Sequence, residues 1–271
     1  MSGDASERAK RSLGQNFLVD PNLQRKIVAE LEAGPDDVVL EVGPGHGELS
    51  AHLVGTVGRL VLVEKDAELA RALAARWAGE PRVRVVEGDA LDLDLGAARE
   101  PGRDLRILSN VPYNVTSPLL FALLAVRPPA RRIVVMVQRE VAERVVARPG
   151  SKTYGALSVG VQAVADAELR FGVGRQVFRP RPDVDSAVLR IEPDPARIAA
   201  VDAGRLRVLT RALFNRRRKQ LQKILRTSPE LGPIPDPEGL LAALGLDPRA
   251  RPEALSPEAI VALADRIAAP G

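Results

Sequence analysis

"VVLEVGPGHGELS", residues Val38 to Ser50, decides how the rest of the chain is read. An apolar run enters a turn carrying Gly43, Gly45 and Gly47, and a helical stretch follows. Glycines placed between a strand and a helix let the backbone approach a ligand and adopt conformations closed to other residues. An ordinary tight turn has the same look, so the loop needs support from elsewhere. "LVLVEKD" sets Glu64 at the end of a second apolar run, 21 residues after Gly43, and "VRVVEGDALD" sets Asp89 just past a third. Successive strand ends of a parallel sheet face one crevice. A carboxylate at the second of them can accept hydrogen bonds from both hydroxyls of a ribose.

An adenosine-containing cofactor is therefore implied, and the third glycine discriminates between two kinds. A dinucleotide fingerprint needs glycine at position 48, where this chain has Glu48, and a carboxylate there would repel a pyrophosphate. The spacing G-x-G-x-G instead resembles the first motif of class I methyltransferases, whose cofactor, S-adenosyl-L-methionine, carries a sulfonium cation and no phosphate. In that resemblance Asp89 accepts from the cofactor's adenine amine. The alternative for Asp89 is a helix cap, since "GDALDLDL" invites one.

Working outward, short apolar segments at Val38 to Val42, Leu60 to Val63, Val83 to Val86, Leu105 to Leu108 and Ile133 to Val137 alternate with Ala- and Leu-rich helical stretches. That alternation predicts an α/β domain around a mostly parallel sheet. Ahead of it, Asp20 can cap a helix from Pro21 to Leu31, and residues 1–12 read as a mobile arm. Pro149 to Gly155 reads as a loop, "SAVLRI" at Ser186 to Ile191 as a strand, and Pro193 to Pro195 as a linker. From Val201 onward every periodic segment is helical. The expected division is a sheet domain over residues 1–195 and a small all-helical domain over 196–271.

Composition narrows the class. A chain of 271 residues with 45% hydrophobic content can bury a substantial core. Its longest apolar runs fall far short of the roughly 20 residues that cross a bilayer, so no membrane role is expected and the cytoplasm is the default. With no cysteine and only His46 and His52, disulfides, thiolate metal sites and histidine-rich metal sites are excluded or disfavoured. The net charge of +4 is unevenly spread: Arg205 to Arg226 holds nine Lys or Arg and no acid. Such a segment suits phosphates, or is a solvated helix face.

"SNVPYN" ends the fourth apolar run with Asn110, Pro112 and Tyr113, in a chain that has only two Tyr, one Trp and five Phe. An exocyclic adenine amine is a poor nucleophile because its lone pair is delocalised into the ring. The Asn110 side-chain oxygen and the Pro112 carbonyl could accept from the two amine hydrogens and localise that pair, while Tyr113 stacks on a withdrawn base. The alternative is a strand end, a turn and a capped helix from Thr116 to Val126.

"SLGQNFLVD" (Ser12 to Asp20), "EVGPGHGELS", "NVPYN", "VFRPRPDVDSAVLRI" (Val177 to Ile191) and "FNRRRKQL" (Phe214 to Leu221) together resemble the small-subunit rRNA adenine N6,N6-dimethyltransferase family, over almost the whole chain and in order. That family usually has Leu where this chain has Val111. The resemblance implies a Rossmann-like class I methyltransferase sheet domain with a small C-terminal all-helical, rRNA-binding domain. It implies that Asn16 and Leu18 pack against S-adenosyl-L-methionine, that Gly43, beside Gly45, meets its methionine portion, that Glu64 holds the ribose, and that Asp89 and Ala90 meet the adenine. Asn110 lines the catalytic face, and Phe178 is a second aromatic wall for the target base or, alternatively, core packing. Arg216, Arg217, Arg218, Lys219 and Lys223 contact RNA. The implied reaction dimethylates two adjacent adenines near the 3′ end of small-subunit rRNA, giving S-adenosyl-L-homocysteine, in a monomer without metal that acts on the small-subunit precursor particle in ribosome biogenesis. Rival readings are the large-subunit rRNA adenine methyltransferases of macrolide resistance and a nucleic-acid-binding assembly or transcription factor without turnover.

Overall fold

The computed structural model describes residues 16–110 and 115–267. The chain forms two compact units. The first runs up to Ala142 and resumes over Glu168–Glu192; the second takes Glu143–Ala167 and everything from Pro193.

The first unit begins with a two-residue strand, β1 (Phe17–Leu18), and helix α1 (Pro21–Ala29). Asp20 caps α1 as its residue type and the following proline predict, its side chain accepting from the Asn22 and Leu23 amides. Five strands then alternate with helices: β2 (Val38–Val42), β3 (Arg59–Glu64), α2 (Ala67–Arg76), β4 (Val83–Glu87), β5 (Leu105–Asn110), α3 (Thr116–Ala125) and β6 (Arg132–Gln138), which leads into α4 (Arg139–Val145). β2 to β6 pair in parallel. Every residue of β2 is buried, as a strand covered on both faces requires, which is why it reads as an apolar run broken by a single acid, Glu41.

Beyond α5 (Ala156–Gln162) of the second unit come β7 (Ala165–Val173), the short β8 (Phe178–Arg179) and β9 (Ser186–Pro193). β9 lies antiparallel to β6, and the seven-stranded sheet has the order β4-β3-β2-β5-β6-β9-β7. The chain winds outward from β2 to β4 on one side and from β5 to β6 on the other, so strand order reverses between β2 and β5. A crevice opens beyond the carboxyl ends of strands at such a point. The opposite end of the sheet is tied by charge: Arg106 pairs with Asp37 at 3.0 Å and Arg132 with Glu32 and Glu192 at 2.7 Å each.

The second unit is helical: α6 (Pro195–Ala200), α7 (Ala203–Asn215), α8 (Leu221–Thr227), α9 (Pro237–Ala243) and α10 (Pro257–Arg266), with α5. Its core gathers Leu206, Leu209 and Leu213 with Leu221, Ile224, Leu241, Ile260 and Leu263. The boundary differs from the expected 195/196 in one respect. Residues 143–167, which the sequence reading placed with the sheet, pack here: Tyr154, Val159 and Ala163 join the same core, and the Tyr154 hydroxyl donates to the Leu255 carbonyl at 2.9 Å. Burial raises the Tyr154 phenol, which therefore stays a donor. The expected linker at Pro193 to Pro195 instead becomes the entry to α6, where Asp194 accepts from the Ala196 and Arg197 amides.

Candidate functional site

The glycine loop leaves β2 with the Gly43 amide donating to the Val63 carbonyl of β3, then closes a tight turn with the Gly47 amide on the Pro44 carbonyl, both at 2.9 Å. Gly45 and Gly47 have φ of 62° and 82°, in the left-handed region. Each glycine also has a packing reason. A Cβ on Gly47 would stand 2.3 Å from the Trp77 ring at the end of α2, and one on Gly45 would meet the Phe17 ring of β1 at 3.1 Å. Phe17 also contacts the His46 ring, with centroids 4.2 Å apart. β1 thus lies on the loop. It is held by pairing with β8, Leu18 opposite Phe178, and by Gln24, whose amide donates to the Leu18 carbonyl at 2.7 Å and whose oxygen meets His52 Nε2 at 3.1 Å.

Glu64, the last residue of β3, is buried to 6% exposure. Its Oε2 accepts from the Gly45 amide at 3.1 Å and its Oε1 from the Asp66 amide at 2.9 Å. Burial raises its carboxyl above the ordinary range, against the two amide donors. Each oxygen keeps an acceptor direction for a further donor. One strand over, Asp89 follows β4. Its Oδ2 receives Lys65 Nζ at 2.6 Å and its Oδ1 the Leu91 amide at 2.9 Å, so Asp89 closes a turn and caps no helix; the short 3-10 helix that follows, Leu95–Ala98, is capped by Asp94. Lys65 and the Leu91 amide hold Asp89 below the usual carboxylate range. Ala90 is half-buried in the same turn.

Asn110 ends β5, in register with Met136 of β6 and half-buried. The residue before it, Ser109, pairs with Val42 and donates to that residue's carbonyl at 3.3 Å. Asn110 is therefore one position past the pair from which the glycine loop departs. Pro112 and Tyr113 lie outside the described residues. Asn16 is half-buried. Leu18 and Phe178 are each 1% exposed and belong to the hydrophobic core with Met136 and Val188, so for Phe178 the burial matches the core-packing alternative.

One residue of this region escaped the sequence reading. Glu41, within β2, is 1% exposed and accepts from the Ser50 hydroxyl at 2.6 Å. Burial pushes its carboxyl up to about 8, and the charges of Glu48 and Glu64 add to the effect. An acid inside a fully apolar strand was the available signal. Glu48 and Glu64 make the loop's surroundings electronegative, which suits a cationic ligand and opposes a pyrophosphate, while Glu41, raised to about 8, keeps its proton at neutral pH.

In the second unit the five expected RNA contacts separate into two kinds. Arg216 pairs with Glu230 at 2.6 Å; Arg217 donates to the Lys152 and Ser151 carbonyls at 2.7 and 3.0 Å and lies 3.6 Å from Glu253. Arg218, Lys219 and Lys223 are exposed. They line one groove of about 620 Å³ with Gln220, Thr227, Arg249 and Arg251, the two arginines being residues the sequence reading did not single out.

Residues 6–236 match the family model described as ribosomal RNA adenine dimethylase. Ribosomal RNA small subunit methyltransferase A of Nitratidesulfovibrio vulgaris is 47% identical over 263 residues, covering 96% of this chain and 97% of that protein. The protein of the same name from Rhodospirillum rubrum is 42% identical over 270 residues, covering 97% and 89%. Among solved structures, a dimethyladenosine transferase from Plasmodium falciparum superposes with a TM-score of 0.80 at 26% identity, covering 91% of this chain and 95% of that one. The 23S rRNA methyltransferase ErmE superposes with 0.68, also at 26% identity, covering 93% and 99%. The fold is that of a class I methyltransferase, and with a family model spanning most of its length the chain belongs to the ribosomal RNA adenine dimethylase family.

Proposed function

We propose that this chain transfers methyl groups from S-adenosyl-L-methionine to the N6 amines of two adjacent adenines near the 3′ end of small-subunit rRNA, as a step in small-subunit biogenesis. The observation that carries the reading is the convergence of the Gly43–Gly47 loop, Glu64, Asp89 and Asn110 at the carboxyl ends of four adjacent parallel strands, astride the reversal of strand order. The small-subunit relatives support the choice of RNA.

The residues present fit the cofactor. Glu64 is a buried carboxylate with two amide donors and room for two more, which ribose hydroxyls would supply. The carboxylates around the loop favour a sulfonium and disfavour phosphate. Asn16, Leu18 and Ala90 would complete the contact, with Asp89 taking the adenine amine and the backbone at Gly43 and Gly45 taking the methionine portion. When bound, the cofactor supplies an electrophilic methyl carbon.

The chain's own part is to make an aromatic amine nucleophilic. Asn110 and the Pro112 carbonyl accept from the two amine hydrogens and draw the nitrogen lone pair out of the ring, without a charged base before attack. Tyr113 fixes the plane of the withdrawn base, and Phe178 backs the wall from the core. The second unit, through its basic surface, holds the RNA. The enzyme acts as a monomer, without metal, in the cytoplasm; among the described residues no helix is long and apolar enough to cross a membrane.

Mass spectrometry of small-subunit rRNA from a strain lacking this gene, complemented with the wild-type chain or with Asn110→Ala, tests the reading. Dimethyladenosine is expected to return only with the wild type, while the variant keeps cofactor affinity within a few-fold. Full modification by Asn110→Ala would remove the proposed mechanism, and unmodified rRNA with the wild type would remove the proposed substrate.

A further inference from the structure

β1 lays the Phe17 ring against Gly45 and His46 of the glycine loop, yet it has only two residues, each opposite one residue of β8. Two pairs hold a strand weakly, and two further bonds fasten it. The Val19 amide donates to the Val177 carbonyl at 2.9 Å, and the Leu18 carbonyl accepts the side-chain amide of Gln24 at 2.7 Å. Gln24 sits on α1, 8% exposed, and its oxygen lies 3.1 Å from Nε2 of His52. His52 closes the short 3-10 helix Ser50–His52, which follows the glycine loop and which the Ser50 hydroxyl ties to Glu41 of β2.

The direction of these bonds is fixed at one end. A carbonyl only accepts, so Gln24 turns its NH2 to Leu18 and its oxygen to His52, and that oxygen requires a hydrogen on Nε2. Burial, with the charge of Arg25, lowers the pKa of His52, so the ring is mainly neutral at pH 7 and its one hydrogen is on Nε2. The contacts close a circuit: from the loop to Phe17, along β1 to Leu18, through Gln24 to His52, and back to the loop six residues before it, at His46. Gln24 and His52 both lie just outside the motifs that carry the family resemblance, which end at Asp20 and Ser50.

We propose that Gln24 and His52 are positioning residues, a two-residue latch that holds β1 over the glycine loop and so sets how tightly S-adenosyl-L-methionine is bound. The proposal rests on the reading of that loop as the cofactor site. Neither side chain takes part in methyl transfer. A strand fastened before the cofactor arrives has less freedom to lose when it binds, and that saving appears in affinity. Without the latch, β1 keeps only its pairing with β8 and the Val19 bond, and Phe17 and Leu18 sample positions off the loop.

The test is calorimetric binding of S-adenosyl-L-homocysteine to the full-length chain, with amide hydrogen exchange at Val19 and steady-state methylation of unmodified small-subunit particles beside it. Gln24→Leu and His52→Leu are each expected to weaken binding by about three- to tenfold, the effect of one hydrogen bond, and to speed exchange at Val19. The double variant is expected to be no weaker than Gln24→Leu, because His52 acts only through Gln24. KM for S-adenosyl-L-methionine is expected to rise in step while kcat stays within about twofold of wild type. His52→Gln, whose amide can donate to the same oxygen, is expected to restore both affinity and slow exchange. If His52→Gln loses as much as His52→Leu, or if melting falls while affinity holds, the pair is a packing contact and the latch is overturned. Wild-type chain that fails to bind S-adenosyl-L-homocysteine would overturn the cofactor reading itself, and the latch with it.

Discussion

Glu64 fastens the glycine loop to the end of β3: its Oε2 accepts the Gly45 amide at 3.1 Å while its Oε1 accepts the Asp66 amide at 2.9 Å. The residue proposed to hold the ribose therefore also shapes the loop that meets the rest of the cofactor. Replacing it with glutamine keeps size but turns one end of the side chain from acceptor to donor, facing an amide that also donates. An unpaired buried donor costs about 1–3 kcal/mol. Glu64→Gln is expected to weaken S-adenosyl-L-homocysteine binding by about tenfold or more, read by calorimetry. Affinity within twofold of wild type would separate the loop from the ribose site.

Glu41 makes stability depend on pH. Its carboxyl, ordinarily near 4.5, is raised to about 8 in the folded chain by burial. The folded state keeps a proton that the unfolded chain releases above 4.5. Glu41 therefore lowers stability progressively as pH rises from 4.5 to about 8, and the loss levels off above that. Glu41→Gln keeps an acceptor for the Ser50 hydroxyl and removes the titration. Its urea midpoint is expected to match wild type at the acid end of that window and to exceed it at the alkaline end. Parallel pH profiles for the two chains would refute the assignment.

How much of this was legible in the sequence varies with the range of the forces involved. β2, β3, β5 and β6 were readable because strands buried on both faces are nearly continuous apolar runs, and the edge strand β4, which is only partly buried, was readable by Val83, Val85 and Val86; Glu64, Asp89 and Asn110 could be placed at the strand ends. β7, "ADAELRFGV", carries three charged residues and mixes buried with exposed positions, so its place in the sheet depends on pairing that no local pattern announces. β1 and β8 are two residues each, too short for any period, and exist through each other. The allegiance of residues 143–167 is decided by Tyr154 and Leu255, a hundred residues apart. Within "RRRK" the charges look alike. Glu230, Glu253 and the Ser151 and Lys152 carbonyls distinguish Arg216 and Arg217 from their neighbours.

Gly47 gives a prediction about packing. Gly47 and Gly55 have nearly the same φ, 82° and 79°, but a Cβ on Gly55 meets nothing within 4 Å whereas one on Gly47 runs into Trp77 and Leu73. Both alanine variants carry left-handed strain of about 1–2 kcal/mol. Gly47→Ala adds overpacking against α2, about 1–3 kcal/mol more. Denaturant unfolding is expected to rank Gly47→Ala clearly below Gly55→Ala, and equal losses would mean that Trp77 gives way freely.

Arg216 tests the division of labour in the basic segment from the structural side. It pairs with Glu230 in a half-buried setting, and that partner is held below its usual carboxylate range chiefly by the hydrogen bond from Arg216. A double-mutant cycle with Arg216→Ala and Glu230→Ala is expected to give a coupling of about 0.5–1 kcal/mol in stability, modest because both side chains keep some contact with water. The sign with pH follows from the depressed carboxyl: the coupling is present above about 4.5 and is lost as acid protonates Glu230 below it. In binding to small-subunit particles, Arg216→Ala is expected to leave the salt slope at the wild-type value, because its charge is already neutralised inside the protein. A slope flattened as much as by Arg218→Ala would show that Glu230 releases the arginine to the RNA, and Arg216 would then belong with the groove.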